Sequence, residues 1–82
     1  MASWTVYILT CGDGSLYTGI TNDLVKRIEK HNAGTGAKYT RSRLPVALTW
    51  SESVDSESAA KVREAEIKRL TRTKKLELVK AT

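Results

Sequence analysis

Arg27 and His31 stand four residues apart in the segment LYTGITNDLVKRIEKHN, residues 16 to 32, and His31 is the chain's only histidine. Tyr17 and Gly19 lie a short turn upstream. A guanidinium can fork onto a phosphate through parallel hydrogen bonds, and imidazole is the side chain whose ordinary pKa falls near neutrality. On a helix, positions i and i+4 are about 40° apart around the axis, so the two share a stripe. That stripe runs beside Leu24 and Ile28, while Lys26 and Glu29 belong further round. An arginine and a histidine that merely snorkel past apolar neighbours would give the same pattern. The pair alone does not define a site.

A carboxylate could come from ESAAKVREAEIKRL, residues 57 to 70, which offers Glu57, Glu64 and Glu66. A helix there with a buried stripe of Ala59, Val62, Ile67 and Leu70 puts Glu66 within the apolar arc. Glu64 then sits at its edge, beside Ala60 and Ile67, and geometry does not choose between them. Glu64 also has an ordinary role open to it, an i,i+4 ion pair with Lys68 worth about 0.2–0.5 kcal/mol.

Positioning these groups falls to a chain of 82 residues, which predicts a single domain over 1–82. Cys11 is alone, which argues against a disulfide framework or a zinc cluster and for a reducing, cytosolic setting. It reads as a small apolar residue at a strand end, since the following GDGS is a turn and no histidine lies nearby. The N-terminus lacks the basic region of a signal peptide, and no apolar run approaches the roughly 18 residues that cross a bilayer. A soluble, cytoplasmic protein is the expectation, with no membrane contact.

Net charge is +5, and its distribution says more than the total. Every Lys and Arg falls in one of two blocks, 26–43 and 61–80, separated by the acidic SESVDSES. Clustering of this kind is the footprint of a polyanionic partner. Lys38, Arg41 and Arg43, in a Gly-rich loop, are candidate contacts to a nucleic-acid backbone, as are Lys68 and Lys74 in the second block. The run of Arg72, Lys74 and Lys75 is, as a charge run, more often a solvated face than a specific site. GTGAKYT begins like a phosphate loop but lacks the G-x-x-x-x-G-K-[ST] spacing and a preceding strand.

The β-branched and aromatic run WTVYILT (4–10) predicts a strand, with Trp4, Val6 and Ile8 on one face and Thr5, Tyr7 and Leu9 on the other. CGDGS makes the turn and LYTGI (16–20) the second strand. Whether Tyr7 and Tyr17 share a face depends on register. Thr21 or Asn22 caps a helix with Asp23 in its first turn, an apolar stripe of Leu24, Val25 and Ile28, and a stop at Gly34. VALTW (46–50) is a third strand with Val46, Leu48 and Trp50 inward. Asp55 or Ser56 caps the long helix, and Thr71 or Thr73 a last short one. The expected fold is α+β: a small three-stranded antiparallel sheet flanked by helices, in the order ββαβα plus a short C-terminal helix.

TVYIL, LYTGI, RIEKH and a glutamate in a late helix together resemble the GIY-YIG nuclease superfamily, over nearly the whole chain. Thr5-Val6-Tyr7 stands where that family has Gly-Ile-Tyr, and Tyr17-Thr18-Gly19 where it has Tyr-Ile-Gly. Arg27 and His31 match its helix arginine and the histidine one turn later. The closest likeness is to small, stand-alone bacterial members. Thr5 and Thr18 depart from the motifs at positions that carry no functional group. A late asparagine found in some branches has no counterpart after Asn32, which leaves the metal site's details open.

The resemblance implies a metal-dependent endonuclease acting on DNA. It implies catalytic Tyr7, Tyr17, Arg27, His31 and Glu64, with Glu64 as the metal ligand because the family's glutamate precedes an apolar residue by three and a basic one by four. One Mg²⁺ (or Mn²⁺) per site suits a site of few carboxylates and several waters. Tyr7 would be the base or water orienter, and a phenol needs somewhere to send its proton, which His31 offers. Two rival readings remain: a non-catalytic nucleic-acid-binding module, and a nuclease subunit that needs a protein partner for targeting.

Overall fold

The computed structural model describes residues 3–80. Strands β1 (Trp4–Thr10), β2 (Leu16–Thr21) and β3 (Ala47–Val54) form one antiparallel sheet in the order β2-β1-β3. Helix α1 (Leu24–Asn32) and the single-turn α2 (Lys38–Arg41) lie between β2 and β3 in the chain. Helices α3 (Glu57–Lys68) and α4 (Arg72–Lys80) follow β3. The α+β class and element order match the sequence pattern, with α2 as an addition inside the segment expected to be a basic loop.

The period-two alternation of β1 divides the core between the two faces of the sheet. Val6 and Ile8 pack with Trp50, Ala60 and Ile67 on the α3 face, joined by Trp4, Leu16 and Ile20. Tyr7 and Leu9 pack with Cys11 and Val46 on the other, joined by Tyr17, Leu24 and Ile28. Val6, Ile8 and Leu9 are fully buried, and each such side chain contributes roughly 1.5–3 kcal/mol relative to exposure. Cys11 is buried just beyond the end of β1, as a small apolar residue.

Five local expectations are corrected. Val46, Leu48 and Trp50 do not share a face, because the pairing jumps from Ile8↔Trp50 to Leu9↔Leu48 and leaves Thr49 as an extra residue. This bulge turns Leu48 outward and puts Val46 and Trp50 on opposite faces. β3 also continues through Ser51 to Val54, taking in residues read as a polar spacer. In α1 the cap is Asp23 itself. Its carboxylate accepts from the Lys26 N–H, while Thr21 Oγ1 accepts from the Asp23 N–H and closes the preceding turn. The inward line of α1 is half-buried Leu24 and Ile28 with buried His31, and Val25 is 70% exposed. In α3, Ala60 and Ile67 are buried while Ala59 and Val62 are exposed, so the helix is turned about one residue from the expected stripe. Ser56 caps it, and Thr71 Oγ1 accepts from the Lys74 N–H at the start of α4.

Candidate active site

Tyr7 sits on the central strand directly opposite Gly19 on the edge strand β2. A Cβ at Gly19 would lie 2.5 Å from the Tyr7 hydroxyl oxygen and 2.7 Å from Cζ. The phenol therefore lies over the backbone of β2, across a position that admits no side chain. Tyr17, paired with Leu9, projects from the same face, its ring 6.4 Å from that of Tyr7. The register that the sequence left open puts both tyrosines together.

His31 is fully buried, and it is the one buried residue of α1. Its Nε2 is 3.0 Å from the Tyr7 hydroxyl and its Nδ1 is 2.8 Å from Thr40 Oγ1. Thr40 also donates to the carbonyl of Ala37 at 3.0 Å. A hydroxyl has a single proton, and a carbonyl can only accept, so Thr40 is left to accept from His31 Nδ1–H. Nδ1 thus carries the proton and Nε2 is the acceptor of the Tyr7 O–H. Burial first, and then the charge of Arg27, lower the His31 pKa below its ordinary value, so the ring is neutral at neutral pH. Gly36 closes over this arrangement: a Cβ there would come within 2.7 Å of His31 Nδ1.

Arg27 donates from Nε to the Tyr7 hydroxyl through a long contact of 3.4 Å. That hydrogen bond is the largest influence on the guanidinium and holds it ionised. Burial dominates at Tyr7 and pushes its phenol up, against the opposing pull of Arg27. Tyr7 is therefore a neutral phenol that donates to an imidazole and accepts from a cation. It cannot serve as a free phenolate, but it can pass its own proton on while taking another.

The structure brings Tyr7, Tyr17, Arg27 and His31 into one cluster. Glu64 stands on α3 and, among the described residues, is paired with Lys68. Its side chain is 22% exposed and 3.3 Å from Lys68 Nζ, whereas Glu66 is 56% exposed and paired with Arg63. Of the two glutamates, Glu64 shares the inward side of the helix with Ala60 and Ile67. Its charge is among the weaker influences raising the Tyr7 pKa. Among the described residues no three His, Cys, Asp or Glu side chains converge on a point. A single half-buried carboxylate with solvent beside it fits Mg²⁺ or Mn²⁺ completed by waters and substrate phosphate, and does not fit an all-protein cage.

Of the basic residues, Lys38 and Arg41 are exposed on α2, and Lys74 is exposed on α4. Lys68 is occupied by Glu64. Arg43 is tied to Asp13 at 3.1 Å and lies over the Tyr39 ring, which stacks on Tyr17. Three residues outside the expected set hold the cluster. Thr40 fixes the imidazole, Gly36 admits it, and Asn32 clasps the backbone N–H and C=O of Val46 with its amide, anchoring the end of α1 beside β3. Only the glycine pair of GTG, between two helical segments, hinted at a close approach.

Comparison with known proteins places the chain in a family. The family described as the GIY-YIG catalytic domain matches residues 3–77. A UPF0213 protein of Staphylococcus aureus strain Mu3 is 55% identical over 80 residues, covering 98% of each chain. The solution structure of a UPF0213 protein from Bacillus halodurans is similar at 48% identity and a TM-score of 0.64, covering 98% of this chain and 85% of that one. A solution structure from E. faecalis is similar at 41% identity and a TM-score of 0.67, covering 99% and 86%. With its tyrosines, edge-strand glycine and helix arginine in these positions, the chain belongs to the GIY-YIG family.

Proposed function

We propose that the protein is a metal-dependent endonuclease that hydrolyses DNA phosphodiester bonds. The observation that carries this is the buried line from Thr40 through His31 to Tyr7, with Arg27 on the tyrosine oxygen. The GIY-YIG family is one of endonucleases, and this line gives the chain a means of activating water.

In the proposed reaction, water placed against Tyr7 attacks the phosphorus as the bond from phosphorus to the leaving oxygen breaks, and that oxygen departs opposite the water and takes a proton from solvent. The attacking water's proton moves to the Tyr7 oxygen as the Tyr7 proton moves to His31 Nε2, leaving an imidazolium whose Nδ1–H stays on Thr40. One proton passes net from water to imidazole in two linked hops, so no phenolate has to be stabilised in a buried pocket. The outer edge of the Arg27 guanidinium forks onto the scissile phosphate and offsets the charge that grows on its oxygens. Tyr17 hydrogen-bonds the phosphate or the attacking water. Glu64 would hold the divalent cation, which when bound supplies Lewis-acid polarisation of the phosphoryl oxygen and stabilisation of the leaving oxygen. Lys38, Arg41 and Lys74 contact the backbone away from the reacting bond, and Arg43 and Lys68 join them once released from their carboxylates.

The rival reading, a binding module without efficient cutting or a subunit that needs a partner, draws on the Glu64–Lys68 pair, which occupies the proposed ligand. Incubating the protein with labelled single-stranded, branched and duplex DNA in Mg²⁺, Mn²⁺ or EDTA separates them. Metal-dependent cutting that disappears in Tyr7→Phe supports the enzyme. Binding with no cutting of any substrate leaves the module.

A further inference from the structure

A cleft of about 460 Å³ opens where β2 runs into α1, and its walls include Trp4, Ile20, Asp23, Lys26, Arg27 and Lys30. Lys26 and Lys30 are one turn apart on α1, so their side chains line the same wall, about 6 Å apart along the axis. Neither lysine has a carboxylate partner among the described residues, and Arg27 turns its Nε to Tyr7. The cleft's carboxylate, Asp23, is engaged as the cap of α1. Half-buried Trp4 packs against the Val6–Ile8 cluster and contributes a flat aromatic surface to the cleft. Arg27 belongs to both places, touching Tyr7 and lining the cleft.

We propose that this cleft binds the nucleotide next to the phosphate gripped by Arg27, with its backbone along Lys26 and Lys30 and its base, unpaired, against Trp4. The proposal rests on the nuclease reading for its polarity but not for its chemistry. Three cations facing one capped carboxylate select a polyanion. An aromatic wall selects a partner that also offers a flat ring, and a base stacked on an aromatic side chain gains about 5- to 150-fold in affinity without sequence preference. The volume lies in the range of small-ligand sites and suits one nucleotide, not a base pair. A base held in a duplex would keep its faces on its neighbours, so stacking on Trp4 requires a strand that is single or locally open.

Tryptophan emission reads this directly, because the other tryptophan, Trp50, is buried in the core. The probe is an oligothymidylate of about eight nucleotides, within the span of known single-strand sites, titrated in EDTA so that no cutting intervenes. The expected result is saturable quenching that is lost in Trp4→Phe and much weaker with the same oligomer paired to oligodeoxyadenylate. Lys26→Gln with Lys30→Gln should weaken binding and reduce the slope of log K against log salt by about 1.4, at 0.7 per phosphate. Equal quenching by the duplex, quenching that survives in Trp4→Phe, or an unchanged salt slope would each overturn the subsite. The two readings fail separately. Quenching by a protein that cuts nothing removes the nuclease and keeps the subsite. Cutting without a Trp4 response removes the subsite and keeps the nuclease.

Discussion

The two sides of the candidate site are built on opposite principles. On one face of the sheet, Tyr7, His31 and Thr40 are all buried, and each polar atom has a partner at 2.8–3.0 Å. On α3, Glu64 is partly exposed and holds only a neighbouring lysine across one helical turn. The first arrangement exists before substrate arrives, and its geometry is maintained by the cost of leaving a buried hydrogen-bonding group unpaired. The second is loose, and under the proposed function it becomes a site only when cation and phosphate complete it. Under the same proposal, the side that would handle protons is fixed by the fold, and the side that would neutralise charge is completed by the ligands.

Removing one group from each side gives the largest effects and tests the contrast most sharply. Tyr7→Phe should lower cleavage by about 10²–10⁴-fold, the range of general acid–base catalysis. It should also lower the melting temperature, since His31 Nε2 loses its buried donor at a cost of about 1–3 kcal/mol. Glu64→Gln should reduce cleavage to background in Mg²⁺ or Mn²⁺ while melting and DNA binding hardly change, with Glu66→Gln as the active control. Both variants dead, with only the first destabilised, is the expected pattern from cleavage and thermal melting. Full activity in both glutamate variants would remove the one-metal reading.

Arg27→Lys comes next. It keeps the charge but not the planar fork, so single-turnover cleavage should fall by about 10²-fold with the fold intact. Wild-type rates in that variant would mean the guanidinium serves Tyr7 and not the phosphate.

Thr40→Val preserves shape and removes the acceptor of His31 Nδ1–H. The imidazole proton is then better placed on Nε2, which reverses the hydrogen bond to Tyr7 and leaves its proton no acceptor. Cleavage should fall about 10-fold or more, as when a partner that orients a histidine is lost, and Thr40→Ser should restore it. Wild-type cleavage should rise with pH through the lowered His31 pKa and level off by neutrality, because only the neutral ring accepts. Stability follows the same sign. The unfolded histidine binds its proton at higher pH than the folded one, so this contribution is complete above the ordinary histidine value and is lost as pH falls through the lowered one. A pH–rate profile that keeps its shape in Thr40→Val would reduce Thr40 to packing.

The contrast also explains what could be read from residues alone. The two faces of β1 follow from strict alternation, and Arg27 and His31 from helical spacing beside Leu24 and Ile28. Those are local periodicities. The shared face of Tyr7 and Tyr17 needed the register, and Thr49 shows how one extra residue overturns alternation in β3. The phase of α3 was obscured by two adjacent alanines, either of which could begin the stripe; burial of Ala60 brings Glu64 inward and leaves Glu66 in solvent. Thr40 carries no periodic signal, since its role comes from a single helical turn folding back over α1.

The smallest effect belongs to Lys68. As an i,i+4 pair between an exposed lysine and a half-buried carboxylate, its link to Glu64 is worth about 0.3–0.5 kcal/mol, so Lys68→Gln should shift melting only slightly. If Glu64 is the cation ligand, the lysine competes with the ion for the same oxygens. Losing it should lower the Mg²⁺ concentration needed for half-maximal cleavage by about twofold, what a pair of this strength can withhold. If Lys68 acts mainly on DNA, the metal requirement should stay put while affinity for DNA falls and its salt slope shrinks. A Mg²⁺ titration of cleavage at saturating DNA distinguishes the two. An unchanged titration midpoint would mean that the pair on α3 does not compete with the cation and that the loose side of the site is organised by something other than Glu64.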